Sequence, residues 1–222
     1  MTRKMTALAT ALALGVTMMA CSQEPPADRE IIELPAPAIS GEVSVEEAIE
    51  RRRSVRQFTD QALTEQQISQ LAWAAQGITE EPRGFRAPPS AGALYPLELY
   101  LVTGDGVYHY QPERHALAVM HTEDRRESLA QAALGQGSVR SAPLVMVVAG
   151  VYARTAARYG DRAARYVHME VGHLGQNVHL QAEALGLGSV PIGAFDDAAV
   201  ADRLGLPADH APLYLIPVGH PR

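Results

Sequence analysis

Hydrophobic and polar residues change their spacing several times along the chain, and each change marks an element. From Ala7 to Met19 the residues are apolar except for Thr10, Gly15 and Thr17. A run of that length is short for a bilayer span and suits a cleaved export signal. Ser22 to Ser40 loses periodicity, with Pro25, Pro26, Pro35 and Pro37 set among acidic residues. It reads as a tether, whose second half Ile31-Ile-Glu-Leu34 is apolar enough to dock on the body that follows. Ser44-Val-Glu-Glu47 is a capping box opening a short helix to about Arg52, and Thr64-Glu-Gln-Gln67 opens a second. In that second helix Ile68, Leu71, Ala72 and Ala75 share a face, and Gly77 ends it.

Beyond a Gly/Pro/Arg loop from Pro82 to Pro89, strand signals take over. Leu97 to Thr103 predicts a strand, Gly104-Asp105-Gly106 a turn, and Val107 to Tyr110 a second strand. Leu144 to Gly150 is apolar throughout, as expected of a central strand buried on both faces. Ala163 to Leu185 predicts the longest helix, with Val167, Val171, Leu174, Val178 and Leu185 on its core stripe. Tyr166, Glu170, His173 and Asn177 form another stripe, rotated about 100° from the first. That stripe is either a solvated face or one wall of a polar cleft. A segment from Gly188 to Ala194, a helix from Asp196 and a strand from Leu213 to Val218 complete one domain over 41–222. Helices and strands mix without strict alternation, so the fold class is α+β.

Charge and chemistry narrow the function. Arg3 and Lys4 precede the apolar run, and Ala20-Cys21 follows it. Met18-Met19-Ala20-Cys21 resembles a bacterial lipobox: residues 1–20 would be the signal peptide, Cys21 the lipidated first residue of the mature chain, and 21–40 its tether. Ser22 after the Cys resembles the outer-membrane pattern of Gram-negative lipoproteins, so the expected location is the envelope, facing the periplasm. Cys21 is the only cysteine, which excludes an internal disulfide and a thiol nucleophile. Without Arg3 and Lys4 the chain has 17 basic against 25 acidic residues, a balance that disfavours nucleic acid as a partner. Lys4 is the only lysine, so the mature chain cannot form a Schiff base and holds anions through arginine alone. Of the eight histidines, His168, His173 and His179 fall on the long helix at spacings that build no metal site. They read as surface or hydrogen-bonded residues.

Two segments invite a phosphate. Arg51-Arg-Arg-Ser-Val-Arg56 puts four cations at a helix end, where they complement the dipole or, through Arg52, Ser54 and Arg56, clasp a phosphate. Gly186-Leu-Gly-Ser-Val-Pro-Ile-Gly193 is glycine-rich but follows a helix and carries Pro191 where a dinucleotide fingerprint needs glycine.

Arg52-Arg-Ser-Val-Arg-Gln-Phe58 resembles the phosphate-binding motif of nitroreductase-fold flavoproteins. Pro89-Ser-Ala-Gly-Ala-Leu-Tyr-Pro96, followed by Glu98-Leu-Tyr-Leu101, resembles a motif of the SagB-type dehydrogenase (SagB/ThcOx) branch, which includes peptide azoline oxidases. Tyr108 to Tyr110, Arg165-Tyr166 with Glu170 to Asn177, Gly186 to Asp197 and Leu213 to Gly219 extend the likeness from about Ile32 to the C-terminus. The resemblance implies a nitroreductase-like fold, a mixed central sheet flanked by helices, and a homodimer with FMN at the subunit interface. Arg52, Arg53, Ser54 and Arg56 would hold its phosphate and ribityl chain, with Arg222 replacing a basic residue usual beyond the last strand. Ser90 would lie against the isoalloxazine, and Pro191, Ile192 and Gly193 near its N5. Arg165-Tyr166 stands where azoline oxidases resemble one another in carrying Lys-Tyr, and an arginine is a poor base. Tyr166 would move a proton and Arg165 hold an anionic or carbonyl group. The implied activity is hydride removal from a small-molecule or peptide-derived substrate at the envelope. The alternatives are an NAD(P)H-fed nitro- or quinone-reductase, and a non-enzymatic flavin-binding or structural lipoprotein.

Overall fold

The computed structural model describes residues 29–222. The expected signal peptide, Cys21 and the first part of the tether lie outside the described residues. The rest of the tether belongs to the body: β1 (Ile31–Glu33) pairs antiparallel with β6 (Ala116–His121). The Gln70 side chain holds both backbone groups of Ala38, at 2.8 and 3.0 Å. The domain expected to start at residue 41 therefore starts at Ile31, because the short strand satisfies its backbone on the sheet edge.

The seven-stranded sheet has the order β1-β6-β5-β4-β7-β9-β8. Its other members are β4 (Leu97–Thr103), β5 (Val107–Gln111), β7 (Leu144–Gly150), β8 (Gly188–Ser189) and β9 (Ala211–Gly219). The β4–β5 turn falls on Gly104–Gly106, where a methyl on Gly106 would sit 2.2 Å from the His121 carbonyl oxygen. All pairs of named strands are antiparallel; the parallel component expected of a mixed sheet is one isolated bridge, Ser54 to Ser189.

Strand β7 explains why its run is apolar throughout. Leu144, Met146 and Val148 face one core with α2 (Glu65–Gln76) and α6 (Ala163–Ala184), where Leu71, Val167, Leu174 and Val178 are buried. Val145, Val147 and Ala149 face a second core with α3 (Arg126–Ala132), α4 (Gly137–Ser141) and α7 (Asp197–Leu204). Helices thus cover both faces of an antiparallel sheet, and β7 lies buried between them.

The capping boxes form as read. Ser44 and Glu47 cap α1 (Val45–Arg51) reciprocally, Thr64 and Gln67 cap α2, and Asp196 caps α7 through the Ala199 N–H at 2.9 Å. The loop after α2 contains a small hairpin, β2 (Ile78–Glu80) with β3 (Phe85–Arg86), and α5 (Tyr152–Tyr159) leads from β7 into α6.

Candidate active site

Helix α6 is the spine along which the expected site residues are arranged. Near its C-terminal end lies Arg52, the C-cap of α1. One Arg52 Nη donates to His179 Nε2 at 2.9 Å, so that nitrogen must be unprotonated. The other ring nitrogen, Nδ1, then carries the hydrogen and donates to Ser189 Oγ at 2.6 Å. Burial and the adjacent guanidinium push the His179 pKa down to about 4, which keeps the ring neutral and this tautomer in place. Arg52 keeps further N–H groups to offer a ligand.

The segment after Arg52 lies beside β8 and the C-terminal tail. Ser54 bridges Ser189, and Val55 N–H donates to the Ser189 carbonyl at 3.0 Å. Val55 packs so tightly on Gly188 that a methyl there would meet its Cβ at 2.6 Å. Phe58 bridges Pro221, and Arg222 N–H donates to the Gln57 carbonyl at 3.2 Å. Arg56 and Arg222 consequently share a groove of about 520 Å³ that also takes in Gln136 and Ser138. Arg53 turns away from it, donating to the carbonyls of Glu50 and Arg52 at 2.8 Å each. Its guanidinium does the dipole-complementing work at the end of α1, so it is the one member of the expected clasp that the structure assigns to the helix.

From β8 the chain runs back along α6. Ile192 exchanges two backbone hydrogen bonds with Leu215, at 2.7 and 3.0 Å. Pro191 has no N–H, so Gly193 alone of the three offers a backbone donor. Tyr214 lies between Gly193 and α6: a methyl on Gly193 would stand 3.8 Å from one edge of its ring, and one on Gly175 3.1 Å from the other.

Tyr166 lies about 20 Å from His179 along the axis, at 1.5 Å per residue. Its hydroxyl accepts from Arg162 Nε at 2.8 Å, and its ring meets Tyr159 edge to face with centroids 4.9 Å apart. Arg165 is exposed beside it. The polar stripe is a wall rather than a solvated face. His173 Nδ1 donates to the Pro89 carbonyl at 3.1 Å, and Asn177 donates to the Ala74 carbonyl at 3.2 Å. Glu170 is only 2% exposed, and its Oε1 has no hydrogen-bond partner among the described residues. Burial raises its pKa to about 7; nearby Ser90 and Arg86 oppose the rise only in part. Ser90 Oγ accepts from the Tyr95 N–H at 2.9 Å and fixes the loop of the Ser-Ala-Gly-Ala motif.

The expected residues therefore fall into three stations: Arg52, Ser54, Arg56 and Arg222 at one end, Gly193 midway, and Ser90, Arg165 and Tyr166 at the other. An elongated ligand with a phosphate at one end fits that order. Sequence reasoning missed His179 and Ser189, because the contact that orients Arg52 joins residues 127 positions apart. His179 reads as a surface or hydrogen-bonded residue, and it is hydrogen-bonded, but its partners could not be named from the sequence. Arg86, Arg158, Tyr159 and Arg162 carried no local signal at all.

The chain is similar to known proteins in sequence and fold. A profile described as "Nitroreductase family" matches residues 49–220. A Methanocaldococcus jannaschii protein bearing a nitroreductase name is 45% identical over 196 residues, 86% of this chain and 97% of that one. A crystal structure under a nitroreductase name from Ralstonia eutropha superposes with a TM-score of 0.79 at 27% identity, covering 86% of this chain and 90% of that one. The microcin B17-processing protein McbC of Escherichia coli is 31% identical over 139 residues, 57% of this chain and about half (51%) of McbC.

Proposed function

The chain belongs to the nitroreductase family, and from that premise we propose that it is an FMN-dependent oxidoreductase of the SagB-type branch, working as a homodimer tethered to the cell envelope through a lipid on Cys21. The observation that carries the flavin reading is the order of the three stations along α6. FMN, when bound, would supply the hydride-accepting ring. Arg52, Arg56 and Arg222 would hold its phosphate, with His179 keeping Arg52 in place, and the Gly193 N–H would face the ring system. The Tyr166 hydroxyl oxygen accepts from Arg162 Nε, which leaves its O–H to point elsewhere, and it is the group we assign to proton transfer with substrate. Arg165 beside it would orient an anionic or carbonyl group.

The branch assignment rests on the Pro89–Pro96 and Glu98–Leu101 motifs and on the similarity to McbC. Arg165 in place of lysine leaves azoline oxidation without a basic partner for Tyr166, so the proposed substrate class is drawn more widely, as a reduced small molecule or peptide-derived group. The homodimer is supported by an unpartnered apolar face: Ile39 is 90% exposed, Val45 65% and Ile49 56%, beside a groove of about 540 Å³ that includes Trp73. Such a face on an otherwise acidic protein calls for a cover, and a second copy supplies one.

Comparing FMN with riboflavin tests the clasp, because the two share a ring and differ in the phosphate. Charge-assisted hydrogen bonds contribute about 1.5–3 kcal/mol each, so Arg52→Ala should weaken FMN roughly ten- to a hundredfold and leave riboflavin nearly unchanged. His179→Ala should do the same more mildly. Equal losses for both flavins in fluorescence titrations would mean a disturbed fold and no phosphate clasp. Bleaching of bound FMN by NADPH would instead favour a pyridine-nucleotide-fed nitro- or quinone-reductase.

A further inference from the structure

About half of the arginines among the described residues face carboxylates, as in Arg83–Glu80 and Arg140–Glu127 at 2.6 Å. Apart from Arg29, those with no carboxylate partner among the described residues gather in two places. One is the Arg52–Arg56 segment with Arg222. The other is the α5–α6 hairpin, where Arg158, Arg162 and Arg165 lie with a single acid, Asp161, among them.

Helix stability explains Arg158, which lies in the last turn of α5. It does not explain the other two. Arg162 is the N-cap of α6 and Arg165 lies in its first turn, with no acidic residue there to offset them. Cations at that end oppose the helix dipole. Aromatic rings organise two of the three, and Arg165 is exposed next to Tyr166 in the sequence. Arg162 stands over the Tyr166 ring, 5.4 Å from its centroid, and Arg158 is 5.5 Å from that of Tyr159. The two tyrosines meet edge to face. The hairpin also closes on the loop that bears Ser90: a methyl on Gly92 would lie 2.9 Å from Arg158 Nη1 and 2.9 Å from the Tyr159 hydroxyl.

We propose that Arg158, Arg162 and Arg165, set around Tyr159 and Tyr166, form a recognition subsite for an anionic group, carboxylate or phosphate, on the small organic molecule that exchanges electrons with the flavin. This rests on the functional reading above and names the charge class of the substrate. Guanidinium forks match both oxyanions, and the tyrosine faces offer the attached carbon skeleton a surface. On a chain of net charge -6, a local positive patch concentrates anions at this mouth and turns neutral molecules of the same shape into weaker ligands.

The test uses the full mature domain from Ser22, loaded with FMN, with loading read from its visible absorption. Calorimetric titration then compares 4-nitrobenzoate with 4-nitrobenzamide, which share ring and nitro group and differ in charge. Wild type should prefer the benzoate. Arg158→Gln and Arg165→Gln, both at exposed positions, should each shrink that preference roughly fivefold, as should added salt, whereas Arg140→Gln should not. Comparing NADPH with NADH distinguishes the source of the anion: an Arg158-dependent preference for NADPH assigns a nucleotide phosphate, and a preference confined to the benzoate assigns a carboxylate. A protein that takes up FMN yet binds charged and neutral ligands alike, or variants that weaken both equally, would overturn the subsite alone. A folded protein that takes up no FMN would overturn the functional reading and the subsite with it.

Discussion

Glu170→Gln isolates a carboxyl buried within the polar stripe of α6. The carboxyl is 2% exposed, its Oε1 has no hydrogen-bond partner among the described residues, and burial raises its pKa to about 7 where an exposed glutamate titrates near 4.5. Below about pH 4.5 the group is protonated in both folded and unfolded chains and contributes no pH dependence. Between pH 4.5 and 7 the folded chain keeps its proton while the unfolded chain loses it, so stability falls as pH rises. Above 7 both forms are ionised, and the full cost of a buried carboxylate is present. A difference of about 2.5 units at 1.36 kcal/mol each makes that cost on the order of 3 kcal/mol. Glutamine has nearly the same shape and no charge to bury. The stability gap between Glu170→Gln and wild type should therefore shift by roughly 3 kcal/mol in favour of the variant from pH 4.5 to pH 8. For a domain of this size that is about 6–12 °C in Tm. Thermal melts of both proteins across that range measure it, and common titrations cancel in the difference. A gap that stays constant with pH would refute the reasoning, because Glu170 would then titrate as an ordinary exposed carboxyl.

Two further outcomes follow, one from a single contact and one from the lipobox resemblance. Gly188→Ala should destabilise the fold by about 1–3 kcal/mol, since the new methyl meets the Val55 Cβ at 2.6 Å, and should loosen the Arg52–Arg56 segment; urea denaturation and FMN titration read the two effects. Cys21→Ser should move the protein from the membrane to the soluble fraction on fractionation, and persistence in the membrane would count against the lipid anchor.

What was legible in the sequence was local or periodic. Ser44–Glu47 and Thr64–Gln67 announce their helices within four residues, and β7 shows its double burial in one unbroken run. The two stripes of α6 follow from its period alone, and Glu170, His173 and Asn177 do form a wall. Strand β6 and helices α3, α4 and α5 were not legible. Ala116-Leu-Ala-Val-Met-His121 has no clean alternation and becomes a strand only because β1 and β5 bracket it. In the site, the Arg52–Arg56 motif could be read, whereas the separation of roles within it could not. Arg53 serves α1, Arg52 leans on a histidine far along the chain, and Ile192 spends its N–H on β9, leaving Gly193 free. Those distinctions depend on which partner each side chain meets, and the partners are remote in sequence.

The central claim is that the chain holds a flavin along α6. It is tested most directly by purifying the domain from Ser22, adding FMN, removing the excess by gel filtration, and measuring protein and flavin in the eluted peak. The account predicts a yellow protein with one FMN per subunit, retained at micromolar concentration, whereas a folded, colourless protein would contradict it.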